Sequence, residues 1–85
     1  MSERTVRVLL FGGARECAGL GAVELPVAES TTVAGVAAQL LLRVPALRTA
    51  LPALRFAVNG EYARAEDPVS AGDEVAVIPP VAGGC

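Results

Sequence analysis

VAGVAAQLLLRV, residues 33–44, decides how the rest of the chain is read. Val33, Val36, Ala37, Leu40, Leu41 and Val44 recur at i, i+3, i+4, i+7, i+8 and i+11, one apolar stripe at the period of an α-helix. Thr31 or Thr32 precedes the stripe as an N-cap, a side-chain oxygen for an amide of the first turn. Pro45 closes it, because the proline ring clashes with the preceding turn and offers no N–H. One amphipathic helix of this length needs an apolar surface to cover, and the flanking segments supply strands.

Upstream, TVRVLLF (5–11) is rich in branched apolar residues, and Gly12-Gly13 stops it. AVELPV (22–27) alternates more weakly, and its Pro26 suits an edge strand, where no ladder donor is needed. Gly19 and Gly21 make the turn between these strands, so the hairpin has a long loop carrying Arg15, Glu16 and Cys17. Downstream, PALRTALPAL (45–54) reads as a short helical turn and a loop, with Leu47, Leu51 and Leu54 offered to the core. FAVN (56–59) is a third strand. Asn59-Gly60 favours a type I′ turn, since both residues tolerate positive φ, and the return strand Glu61 to Ala63 is short. SAGD (70–73) is another turn, and EVAVI (74–78) is the last strand. Val75 and Val77 fall on one of its faces, Ala76 and Ile78 on the other.

The first and last strands are the most apolar, which places them centrally and side by side. The pattern is α+β: a ubiquitin-like β-grasp, with a mixed four- to five-stranded sheet packed on one main helix. Residues 1–79 form that domain, and residues 80–85 form a flexible tail. A single helix covers a single sheet face. Leu9, Phe11, Ala76 and Ile78 then share the uncovered face as an apolar patch suited to a partner.

Composition narrows the chemistry. The 85 residues are 53% hydrophobic and 4% aromatic, enough for one compact core but not for a deep enclosed active site. There is no His, hence no imidazole base or ligand. All seven cations are Arg, so Schiff-base chemistry is excluded. Two cysteines cannot build a four-thiolate zinc site, and no metal site is expected. A net charge of −2 lacks the basic footprint of a nucleic-acid binder. The apolar run Val8 to Phe11 is too short for a signal peptide, and nothing reaches membrane-spanning length. Cys17 and Cys85 do not make a disulfide framework, and a reduced cytoplasm is the expected location. Cys17 reads as a small apolar loop residue rather than a redox thiol. Arg15-Glu16 is either a partner contact or a local ion pair worth little. Gly12-Gly13 lacks the glycine pattern and the following helix of a phosphate loop.

The tail is the most informative segment. Pro79-Pro80 is stiff, and Gly83-Gly84 carries no side chains. Such a segment can enter a channel in another protein where any Cβ would clash. Six residues from Pro80 to Cys85 reach about 20 Å at most. A lone Gly-Gly reads first as a frayed end; the stiff Pro-Pro directly after the final strand strengthens the case for a threading segment.

VRVLLFGGARE, TVAGVAAQLLLRVPALR, FAVNGEYA and above all AGDEVAVIPPVAGG make the chain similar to the MoaD/ThiS family of sulfur-carrier proteins, over nearly its full length. It resembles the MoaD branch, the small subunits of molybdopterin synthases, more than the ThiS branch, whose members are typically shorter and usually lack Pro-Pro-Val. The resemblance implies a carrier rather than an enzyme. An E1-like (MoeB-like) partner uses ATP to convert the Gly84 carboxylate to an acyl-adenylate, and a sulfur donor turns that into a thiocarboxylate. The tail then enters a MoaE-like large subunit, with Gly83 permitting threading and Pro79, Pro80, Val81 and Ala82 lining the channel mouth. The carrier itself binds no cofactor. Cys85 departs from the family pattern, which ends at Gly-Gly. It is a pro-residue removed by a peptidase, a residue added to the natural sequence, or a thiol acting beside a scissile bond. Processing would turn the pathway toward cysteine or natural-product sulfur chemistry. A ubiquitin-like modifier or interaction module is the alternative of a different class.

Overall fold

The computed structural model describes residues 4–27, 30–48 and 54–78. Leu51 and the whole of Pro79 to Cys85, including the boundary between domain and tail, lie outside them. The described chain runs β1 (Thr5–Leu10), α1 (Gly12–Ala18), β2 (Ala22–Pro26), β3 (Ser30–Thr32), α2 (Val33–Arg43), a 3-10 turn (Pro45–Leu47), β4 (Arg55–Val58), β5 (Glu61–Ala63), β6 (Pro68–Ser70) and β7 (Glu74–Ile78).

Five strands form one mixed sheet in the order β2-β1-β7-β4-β5. β1 and β7 run parallel, and the other neighbours in this sheet are antiparallel. The most apolar strands therefore pair with each other inside the sheet, and Pro26 sits on the edge strand β2. Alternation sets the two faces. Val6, Val8 and Leu10 of β1 and Val75 and Val77 of β7 are buried toward α2. The α2 stripe meets them with Val33, Val36, Ala37 and Leu40, all buried. Each fully buried Val or Leu contributes about 1.5–3 kcal/mol of hydrophobic stabilisation. Thr32 caps α2, its hydroxyl oxygen accepting from the Gly35 amide at 3.2 Å. Leu47 and Leu54 join the core as expected.

The β4–β5 hairpin turns on Asn59 (φ 52°) and Gly60 (φ 90°), both in the positive-φ region that a type I′ turn requires. The Asn59 side chain ties this turn to β7. It donates to Asp73 Oδ1 at 3.1 Å and accepts from the Glu74 amide at 3.0 Å.

Two elements differ from the sequence reading. The expected long loop after β1 is a seven-residue helix, α1, so Gly12-Gly13 does have a helix after it. Seven residues are too few to display a helical period. Ala14 anchors α1 in the core, and Gly19 ends it in the left-handed region (φ 72°). A second, two-stranded sheet pairs β3 with β6, with Val69 opposite Thr31 and fully buried. Ser70 therefore ends a strand, and the turn proper is Ala71-Gly72. Three-residue strands carry almost no pattern of their own.

Candidate docking face and tail exit

The sheet face away from α2 is built in register rows. Ala22 pairs with Leu9, Leu9 with Ala76, Ala76 with Ala57, and Ala57 with Tyr62. Directly opposed residues share a face, so one apolar row crosses all five strands. Two residues toward the start of β1 lies a charged row, where Arg7 pairs with Glu24 on one side and Glu74 on the other. Two residues the other way, Ile78 pairs with Arg55. Phe11 lies beside that row, because Leu10 pairs with Val77 and the Phe11 amide donates to the Val77 carbonyl at 3.3 Å. The apolar row thus lies between a charged row and a mixed row, in which Ile78 and Phe11 stand near Arg55 at the end of β7.

Leu9, Phe11, Ala76 and Ile78 are brought together on this face, as the alternation of their strands implied. Phe11 is 47% exposed and Tyr62 77% exposed, while Leu9, Ala76 and Ile78 are half-buried. Tyr62 and Ala22 are exposed and extend the patch, Ala57 in the same row is buried, and all three went unnoticed in the sequence. The Asn59-Gly60 turn held the signal: a two-residue turn puts Val58 opposite Glu61 and Ala57 opposite Tyr62. The other expected site residues, Pro79 to Ala82, Gly83, Gly84 and Cys85, lie outside the described residues.

The parallel pairing of β1 and β7 puts the ends of both strands at one edge of the sheet, so α1 begins where β7 finishes. Phe11 is the N-cap residue of α1, and its side chain makes no cap bond. The Arg15 carbonyl accepts from the Gly19 amide at 2.9 Å, and the Arg15 guanidinium lies over Gly21. Cys17 is corrected twice. It lies on a helix packed against the core rather than in a loop, and it is disulfide-bonded rather than an inert apolar thiol.

A groove of about 840 Å³ between α2 and the β4–β5 hairpin is lined by Ala34, Ala38, Leu41, Phe56 and Ala63, with Arg64 at its rim. It assembles no acid–base pair and no nucleophile. Among the described residues no cluster of ligating side chains could hold a metal, and no helix is long and apolar enough to cross a membrane.

Residues 8–84 match the model of the ThiS family. A molybdopterin synthase sulfur carrier subunit from Chlamydomonas reinhardtii is 36% identical over 81 residues, spanning 93% of this chain and 98% of that protein. The crystal structure of SAMP1, a small archaeal modifier protein of Haloferax volcanii, superposes with a TM-score of 0.86 at 31% identity, covering 94% of this chain and 99% of that one. A chain of the Helicobacter pylori complex between subunits 1 and 2 of molybdopterin-converting factor superposes with a TM-score of 0.66 over 94% of this chain and 99% of its own. At 23% identity that last likeness is one of fold.

Proposed function

The chain belongs to the ThiS family, and from that premise we infer that it is a sulfur carrier for molybdopterin biosynthesis. The observation that carries the reading is the match over nearly the whole length to sulfur carrier subunits of molybdopterin synthase, within a family match that runs through Gly83-Gly84. The relatives are named as subunits of a molybdopterin synthase, which supports a large-subunit partner of the MoaE kind.

The division of labour follows from the residues. This chain has no His and no Lys, and its described part assembles no catalytic constellation. It supplies a reagent, and partners supply catalysis. A free Gly84 carboxylate attacks the α-phosphate of ATP in an E1-like partner, releasing pyrophosphate. A sulfur nucleophile then displaces AMP and leaves a thiocarboxylate. The sheet face docks the partner with its apolar row and with Phe11 beside the end of β7, the point from which the Gly-Gly segment starts. While Cys85 is attached, the Gly84 carbonyl belongs to a peptide and cannot be adenylated, so activation needs a chain that ends at Gly84.

The test compares the full chain with a variant ending at Gly84. Each is incubated with the E1-like enzyme, ATP and a sulfide source, and the intact mass is read for exchange of one oxygen for sulfur. The Gly84-ended form should be converted and the full chain should not. Equal conversion would refute the need for processing, and no conversion of either would refute the carrier chemistry. The close superposition on a small archaeal modifier protein favours one second reading, a ubiquitin-like modifier. That reading predicts isopeptide bonds to lysines of other proteins in place of a thiocarboxylate.

A further inference from the structure

The uncovered sheet face carries its cations in two unlike settings. In the charged row Arg7 lies between Glu24 and Glu74 on the neighbouring strands, so two carboxylates flank one guanidinium. Arg55 has different neighbours. It pairs with Ile78 on one side. On the other side Phe56 pairs with Ala63, and one step farther the same register brings Arg64 beside Arg55. Both arginines are exposed, and both line the groove at this edge of the sheet. Among the described residues neither side chain has an ion-pair or hydrogen-bond partner. Like charges set opposite each other across strands repel, yet the fold holds this pair in a fixed place. The Arg64 amide donates to Asp67 Oδ2 at 2.9 Å, and the Arg64 carbonyl accepts from the Asp67 amide at 3.0 Å. The next carbonyl, that of Ala65, accepts from the Ala34 amide at 2.9 Å and ties the turn to the start of α2. The Asp67 carboxylate is thus held by a backbone amide.

We infer that Arg55 and Arg64 form a carboxylate-binding corner of the docking face, which takes an Asp or Glu side chain of the synthase large subunit and so fixes which way round that subunit lies on the sheet. The identity of the partner rests on the carrier reading. A guanidinium presents a planar fork of donors that matches a carboxylate, and the approaching anion relieves the repulsion between the two cations. The corner adjoins Ile78 and Phe11. Covering these apolar groups excludes water, which strengthens a charge pair beside them. Four residues along the strands separate this corner from the row of Glu24, Arg7 and Glu74, about 13 Å at the strand rise. That exceeds the Debye length of roughly 8 Å at physiological salt, so the two ends of the face act separately. A partner lying the other way round would set its carboxylate against Glu24 and Glu74, a like-charge contact that disfavours the wrong orientation. The face therefore selects a protein surface with an apolar strip that is acidic at the end meeting β4.

The experiment titrates the large subunit into the full chain, into Arg55→Gln/Arg64→Gln and into Arg7→Gln, by calorimetry at about 0.15 M and about 1 M salt. Circular dichroism on each sample checks the fold, which exposed side chains should leave intact. At the lower salt the double variant should bind about 20-fold more weakly than wild type, and at the higher salt the gap should close to about threefold. Arg7→Gln removes a cation from the same face and should stay within about threefold of wild type. Unchanged affinity of the double variant would overturn the corner. A loss in Arg7→Gln as large as in the double variant would also overturn it, because net charge would then be the cause. So would a gap that persists undiminished at high salt, the mark of lost packing. Single Asp→Asn and Glu→Gln substitutions across the large subunit read the same contact from the partner's side, whether or not the double variant folds. One of them should weaken binding to the wild-type chain and to Arg7→Gln alike, and should cost nothing further against Arg55→Gln or Arg64→Gln. The absence of any such carboxylate would refute the inference. A wild-type chain that does not bind the large subunit would overturn the inference together with that partner. Binding that persists while the Gly84-ended variant forms no thiocarboxylate would sink the carrier chemistry alone.

Discussion

Phe11→Asp separates docking from folding at one position. Phe11 is 47% exposed at the edge where α1 begins and β7 ends. For an aromatic side chain of roughly 200 Å², about 95 Å² is therefore free to be covered by a partner. At about 25 cal/mol per Å² that contact is worth roughly 2.4 kcal/mol, or about 50-fold in affinity, before the cost of desolvating a carboxylate is added. The fold should lose much less. The Phe11 backbone bond to Val77 does not involve the side chain. Phe11 is also the N-cap of a helix that has no side-chain cap and no acidic residue in its first turn. Asp is among the best N-cap residues and recovers about 0.5–1 kcal/mol there, offsetting much of the apolar packing lost. Titration calorimetry against the synthase large subunit should show at least a 50-fold loss of affinity. Circular dichroism and thermal unfolding of the same sample should show native secondary structure and a Tm within a few degrees of wild type. Affinity within twofold of wild type would remove this edge from the interface. An unfolded variant would show that Phe11 acts in the core, and the docking argument would fall with it.

Leu40 is fully buried under the sheet, so Leu40→Ala should cost about 2–5 kcal/mol of stability by urea unfolding. Asn59→Ala removes the donor to Asp73 and the acceptor for the Glu74 amide and leaves Ala at positive φ. It should lower the Tm by roughly 5–15 °C, corresponding to about 1–2 kcal/mol. Gly84→Ala in the Gly84-ended form should slow thiocarboxylate formation or transfer by roughly 10–100-fold, the cost of one methyl in a tight channel. An unchanged rate in that assay would rule out threading.

The helix and the main strands were legible in the residues because each repeats its pattern for long enough to show a period. Val33 to Val44 shows three helical turns of it, and α2 follows as Val33–Arg43. The alternation in β1 and β7 separated Val8 and Val75 from Leu9 and Ala76 before any pairing was known. The Asn59-Gly60 turn needed only local φ preferences. Three further elements were not legible. α1 shows too little of its period, and β3 and β6 are held chiefly by each other and by Val69 in the core.

The candidate site divides along the same line. Sequence by itself determined which residues are apolar on the uncovered face, that Gly83-Gly84 can pass where a Cβ cannot, and that Cys85 stands in the way of a free Gly84 carboxylate. These follow from side-chain chemistry and strand period, and neither depends on how strands are ordered. Tertiary structure decided that Ala22, Leu9, Ala76, Ala57 and Tyr62 make one row, because register is a relation between strands. It also decided that α1 starts beside the end of β7. Residues 10 and 77 become neighbours only when β1 and β7 pair in parallel. That pairing is fixed by burial of both strands under α2, a global free-energy balance that no local stretch of the chain expresses.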